Sequence, residues 1–85
     1  MTTHYAQIDA GRLLLVAGPE WEHVLEVLGD HVIERRGFGV VVADVAPADL
    51  ATTVELCASC AAGNCGVAAR ELALYRASER RQRRA

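Results

Sequence analysis

The spacing of apolar positions changes several times along the chain, and each change marks the edge of an element. HYAQI and RLLLVAG flank Asp9-Ala10-Gly11, which reads as two strands joined by a tight turn, with Gly11 free to take the positive φ of a hairpin. Leu13 to Val16 is an unbroken apolar run, suited to a strand inside the sheet and buried on both faces. Gly18-Pro19-Glu20 then opens a helix: Pro costs nothing at the first helical position, and Glu20 and Glu22 complement the positive end of the dipole. Trp21, Leu25, Leu28 and Val32 recur at helical spacing, Gly29-Asp30 predicts a kink or restart, and Gly37 ends the element.

Phe38 to Val45 is again almost continuously apolar and predicts a third strand. Strand, helix and strand within about thirty residues form a βαβ crossover, which places the second and third strands parallel. Pro47 and Asp49 start a further helix with Leu50, Val54, Cys57 and Ala61 on one face. Gly63-Asn64 breaks it, Asn64 is a fit N-cap, and a last helix from about Cys65 turns Ala68, Leu72 and Tyr75 inward. The expectation is an α/β fold, with α+β as the alternative: one small domain over residues 1–78, ordered β-β-α-β-α-α, whose three-stranded mixed sheet is covered by helices. Residues 79–85 form a basic tail.

Composition narrows the class. Eighty-five residues with a 52% apolar fraction can build one core but leave little room for an enclosed active site, and no apolar run is long enough to cross a bilayer. MTTHYAQIDAGR has no basic stretch followed by an apolar one, so a cytoplasmic, reducing location is expected, which argues against a structural disulfide. The net charge of -2 hides an asymmetry, because Arg70, Arg76, Arg80, Arg81, Arg83 and Arg84 fall in the last sixteen residues. Arg80, Arg81, Arg83 and Arg84 are the candidates for contact with nucleic-acid phosphates. The same arginines also suit the negative end of a helix dipole, and only Tyr75 among them offers a base a stacking surface.

All three cysteines lie in CASCAAGNCG, residues 57–66, with spacing C-x2-C-x4-C. Cys57 and Cys60 would sit in the last turns of one helix and Cys65 in the first turn of the next, so the break at Gly63-Asn64 can turn three sulfurs toward one point. Thiolates are the ligands zinc and iron-sulfur clusters prefer, and a structural site ordinarily needs four donors. His31, His23 or His4 can supply the fourth, and His31 is taken as the candidate; a partner subunit or exogenous ligand would also serve. Without a metal, Cys65 at a helix N-terminus would be an activated thiol with Cys57 or Cys60 resolving it, a redox arrangement. With neither, the cysteines simply pack, as free Cys often does.

Residues 56–84, LCASCAAGNCGVAARELALYRASERRQRR, resemble the latter part of WhiB-like iron-sulfur transcriptional regulators, in which a C-x2-C-x5-C group precedes a helix and a basic tail. The resemblance implies that Cys57, Cys60 and Cys65 match three of four cluster ligands and that Arg80 to Arg84 match the end that touches DNA. The last spacing here is x4, and the upstream fourth Cys and the Gly-Val-Trp-Gly-Gly turn have no counterpart.

Other chemistry has thinner support. Asp44, near the carboxyl end of a strand, is a cation or proton site only if a second carboxylate approaches it, and otherwise caps a turn. Gly18-Pro19 occupies a phosphate-loop position but is followed by Glu20 and Glu22, which repel anions. No nucleophile has a base at recognisable spacing, so the chain reads as a non-enzyme. The expected function is a small regulatory or accessory module that binds zinc or an iron-sulfur centre, or senses redox state, through Cys57, Cys60 and Cys65. The alternative is a homodimeric interaction domain with no cofactor, pairing through an open sheet edge. A protein partner or self-association is expected in either case.

Overall fold

A computed structural model describes residues 2–37 and 39–84, and the side chains of all of these except Glu20, Arg83 and Arg84. Four strands, β1 (His4–Asp9), β2 (Arg12–Val16), β3 (Val32–Gly37) and β4 (Val40–Ala43), form one sheet in the order β1-β2-β4-β3. Four helices accompany them: α1 (Trp21–Leu28), the single turns α2 (Pro47–Leu50) and α3 (Ala58–Ala61), and the long α4 (Gly66–Arg84). No described helix is long and apolar enough to cross a membrane.

The β1–β2 hairpin forms as the Asp9-Ala10-Gly11 turn predicts, with Tyr5 opposite Leu15 and Gly11 at φ 82° in the turn. The rest of the sheet differs from expectation. Every pairing between strands of this sheet is antiparallel, so among the described residues there is no βαβ crossover, and the sheet has four strands rather than three. The cause lies at Gly29, which takes φ 55°, a left-handed conformation that halts α1 at Leu28. A short 3-10 turn, Gly29–His31, follows, and the β-branched pair Val32-Ile33 opens a strand where continued helix was expected. The chain then reverses after Gly37 and returns as β4 between β3 and β2. Phe38, the expected start of that strand, lies outside the described residues. Because the strands are antiparallel, the mixed helix and strand composition holds in its α+β form.

Two helical layers bury the two faces of the sheet. Leu13, Leu15, Val41 and Ala43 pack against Val24 and Leu28 of α1 and against Leu50 and Val54. Leu14 and Val42 on the opposite face meet Tyr75 of α4, with Ile8, Val40 and Leu72 at the margin. Leu13, Leu14 and Leu15 are all fully or almost fully buried, as an unbroken apolar run at the centre of a sheet requires. Each such side chain contributes about 1.5 to 3 kcal/mol on burial. Around Tyr75, polar groups close the layer: its hydroxyl donates to Glu79 Oε1 at 2.7 Å, and the Arg36 guanidinium lies 4.8 Å from its ring centroid.

Candidate metal centre

His4 enters the site through an additional strand contact at the start of β1. The Thr3 N–H donates to the Glu55 carbonyl at 2.8 Å and the Cys57 N–H donates to the Thr3 carbonyl at 3.0 Å, a short parallel bridge that draws residues 55–57 alongside the N-terminal strand. His4 and Cys57 therefore become neighbours despite their distance in sequence. β1 alternation does the rest: His4 shares a face with Ala6 and Ile8, the face that α4 covers.

The cysteines are positioned by backbone turns. Cys57 has extended geometry, φ -61° and ψ 126°, and forms the N-cap of α3, so it precedes a helix instead of ending one. One turn on, Cys60 is buried, and its sulfur accepts the Tyr5 N–H at 3.4 Å. α3 ends in a Schellman motif: with Gly63 at φ 79°, the Gly63 N–H bonds the Cys60 carbonyl at 3.0 Å and the Asn64 N–H bonds the Ser59 carbonyl at 3.0 Å. That reversal returns the chain to Cys65, whose carbonyl accepts the Ala69 N–H at 3.1 Å and which thus replaces Asn64 as the residue that opens α4.

The result is a compact donor set. One donor atom from each of His4, Cys57, Cys60 and Cys65 lies within 4.8 Å of all the others. His4 Nδ1 is 3.4 Å from Cys65 Sγ and 3.7 Å from Cys60 Sγ. A tetrahedral ion with bonds of about 2.3 Å to sulfur and about 2.0 to 2.1 Å to nitrogen sets adjacent sulfur and nitrogen about 3.5 Å apart. The two separations bracket that figure, so the group can hold a metal ion.

The three thiols differ in electrostatic setting. The Cys60 backbone N–H aimed at the Cys57 sulfur holds that thiol below its ordinary range, and the Ala68 N–H does the same for Cys65. Cys60 goes the other way: burial pushes it up to about 12. Two positions are thus easier to deprotonate than a free thiol, and the third, which burial keeps protonated, would give up its proton to a cation that compensates the charge. All three cysteines are free of disulfides.

No known protein family, curated protein or solved structure matches this chain.

Other candidate residues lie elsewhere. His31 stands apart from the sulfurs, with Nδ1 3.1 Å from Asp44 Oδ1, and both side chains of that pair are more than half exposed. The fourth donor in the group is therefore His4, not His31. His23 is exposed on α1. Asp44 follows an antiparallel strand, which removes the argument from the carboxyl end of a parallel sheet, and its N–H bonds the His31 carbonyl at 2.9 Å. Gly18-Pro19-Glu20 forms a 3-10 turn ahead of α1. Arg80 and Arg81 are exposed on the last turns of α4, while the side chains of Arg83 and Arg84 lie outside the described residues. A signal for His4 was present in the strand alternation, but the pairing of Thr3 with Leu56 that brings it to the cysteines has no local signature.

Proposed function

We propose that this chain is a small accessory or regulatory module whose C-terminal half is organised around one zinc ion held by His4, Cys57, Cys60 and Cys65. The observation that carries this reading is the convergence of four donors within 4.8 Å, with sulfur–nitrogen separations of 3.4 and 3.7 Å. Three thiolates and one imidazole are a donor set that zinc takes in closed structural sites, and four protein ligands leave no position for a substrate. Catalysis at the ion is disfavoured for that reason. An iron-sulfur cluster interposes several iron and sulfide atoms between its protein ligands, so its ligands must stand farther apart than those sharing one ion. The short separations favour zinc over a cluster.

The position of the site supports an organising role. It joins β1, at the start of the chain, to the segment preceding α3 and to the first turn of α4. Pairing between two copies through a sheet edge has less support, because the β3 edge is irregular at two points and carries Glu34, Arg35 and Arg36, features that blunt an edge. Metal analysis of the purified protein tests the reading: one zinc per chain is expected for the native sequence, and none after gel filtration of a chain in which Cys57, Cys60 and Cys65 are all replaced by Ser. A native chain that takes up no zinc at micromolar concentration would refute it.

A further inference from the structure

Cys57 and Cys60 stand at the two ends of a single turn that the backbone holds closed. The Cys60 and Ala61 N–H groups both donate to the Cys57 carbonyl, at 3.1 and 3.2 Å. Ala58 and Ser59 between them are helical, and helix geometry sets Cα atoms three residues apart at about 5 Å. That spacing falls inside the range of about 4.4 to 6.8 Å that a disulfide spans. The two sulfurs already lie within 4.8 Å of each other as members of the donor group. We propose that Cys57 and Cys60 are a reversible dithiol–disulfide couple, closed by a hydroperoxide, and that closing it discharges the zinc ion. The discharge rests on the zinc reading above, whereas the bond itself does not.

The burial of the cysteines assigns the roles. Cys57 is partly exposed and Cys60 is buried, so Cys57 meets the oxidant and Cys60 completes the bond. The Cys57 sulfur attacks one peroxide oxygen, the O–O bond breaks, and Cys57 becomes a sulfenic acid as the other oxygen leaves as water. The Cys60 sulfur then attacks the Cys57 sulfur, the S–S bond forms, the S–O bond breaks, and the hydroxyl leaves as a second water. The two sulfurs together lose two electrons and the peroxide gains them. Cys65 is also partly exposed, but it lies beyond the Gly63 reversal, and its carbonyl is tied into α4 by the Ala69 N–H at 3.1 Å. A bond to Cys65 must move α4 against α3, whereas the bond between Cys57 and Cys60 closes within one turn.

The disulfide and the ion exclude each other. Two sulfurs that share a tetrahedral ion at about 2.3 Å stand about 3.8 Å apart, whereas a disulfide draws them to about 2.05 Å. Thiolate is the ligand form, and the bonded sulfurs have lost that charge. His4 and Cys65 then remain, two donors where a closed zinc site needs four. Reduction restores both thiols and with them the site.

The experiment uses the full chain loaded with zinc. Zinc is counted before any oxidant is added: a chain that holds none fails the zinc reading, and the couple is then decided on the metal-free protein by the same mapping. Hydrogen peroxide is added under conditions that oxidise free cysteine completely, zinc release is followed with a chromogenic chelator, and the denatured product is alkylated and mapped by mass spectrometry. Expected are loss of zinc in step with disulfide formation, a mass lower by about 2 Da before alkylation for the hydrogens removed, and alkylation at Cys65 alone. Dithiothreitol with added zinc should return the metal to its starting content. Zinc that stays bound, alkylation at Cys57 or Cys60 in place of Cys65, or oxygen added to the cysteines with no disulfide would overturn the proposal.

Discussion

The sheet and the segment 44–65 hold themselves together by different means. In the sheet, Leu13, Leu14, Leu15, Val41, Val42 and Ala43 are buried on two faces, and every strand is hydrogen-bonded to a neighbour. In residues 44–65 there are two four-residue helices, a run of turns, and only Leu50, Val54 and Cys60 buried. Isolated helices of one turn are far too short to be stable alone. A segment this long without regular structure of its own needs another constraint, and the His4, Cys57, Cys60 and Cys65 group stands where that constraint is required. Burial stabilises the first region; a shared ion would stabilise the second.

Removing zinc should separate the two regions most sharply. Structural zinc contributes about 10 to 16 kcal/mol in isolated finger peptides, where the ion carries the whole fold. Here the sheet keeps its own core, so chelation should free residues 55–69 while leaving β2 and β4 protected. Hydrogen exchange is expected to accelerate at least about a hundredfold at Cys60 to Ala69, corresponding to about 2.7 kcal/mol of lost protection, with little change at Leu14 and Val42. Uniform acceleration across both regions would show that they form one cooperative unit.

The complementary change is Leu14→Ala. It empties the layer between the sheet and Tyr75 and should cost about 3 kcal/mol, lowering the melting temperature by roughly 12 to 24 °C. The zinc content of the folded protein should stay at one per chain. Loss of zinc at temperatures below the transition would instead tie the site to that layer.

A pH titration of the metal-free protein probes the site alone. The Cys60 thiol is raised from 9.0 to about 12 by burial, so the folded state holds that proton more tightly than the unfolded chain does. Its contribution is complete below pH 9 and is lost as pH climbs toward 12. Stability should therefore decline over that window, and Cys60→Ala should flatten the decline. Zinc should abolish this dependence by displacing the proton. An unchanged slope in Cys60→Ala would assign the loss to other groups.

Two smaller effects complete the comparison. Thr3 is fully buried and its Oγ1 has no hydrogen-bond partner among the described residues, so Thr3→Val should leave the melting temperature unchanged or raise stability by up to about 1 kcal/mol. His31→Ala should change stability by less than about 0.5 kcal/mol, because the Asp44 pair is exposed, and should leave zinc binding intact. His4→Ala, measured in parallel, should weaken zinc at least about tenfold.

The contrast between the regions also explains what was legible in the sequence. β2 and β4 announce themselves through apolar runs and β1 through the tight turn that joins it to β2, and β2 lies buried on both faces as its composition requires. β3 was hidden because Leu25, Leu28 and Val32 keep helical spacing across a chain reversal that depends on the left-handed conformation of Gly29. Once β3 is read as helix, the parallel crossover follows and the sheet topology is lost. The cysteines were legible as a convergent group because the Gly63-Asn64 break is local. Which of the three named histidines completes the group was not, since His4 reaches the site through hydrogen bonds between Thr3 and residues Glu55 and Cys57, more than fifty residues away.

X-ray absorption at the zinc K-edge of the reconstituted protein tests the central claim most directly. Three sulfurs at about 2.3 Å and one nitrogen at about 2.0 to 2.1 Å are expected, with the outer-shell scattering of the imidazole ring lost in His4→Ala and retained in His31→Ala. A shell dominated by oxygen and nitrogen, or imidazole scattering that is unaltered in His4→Ala, would contradict a site built from these four residues.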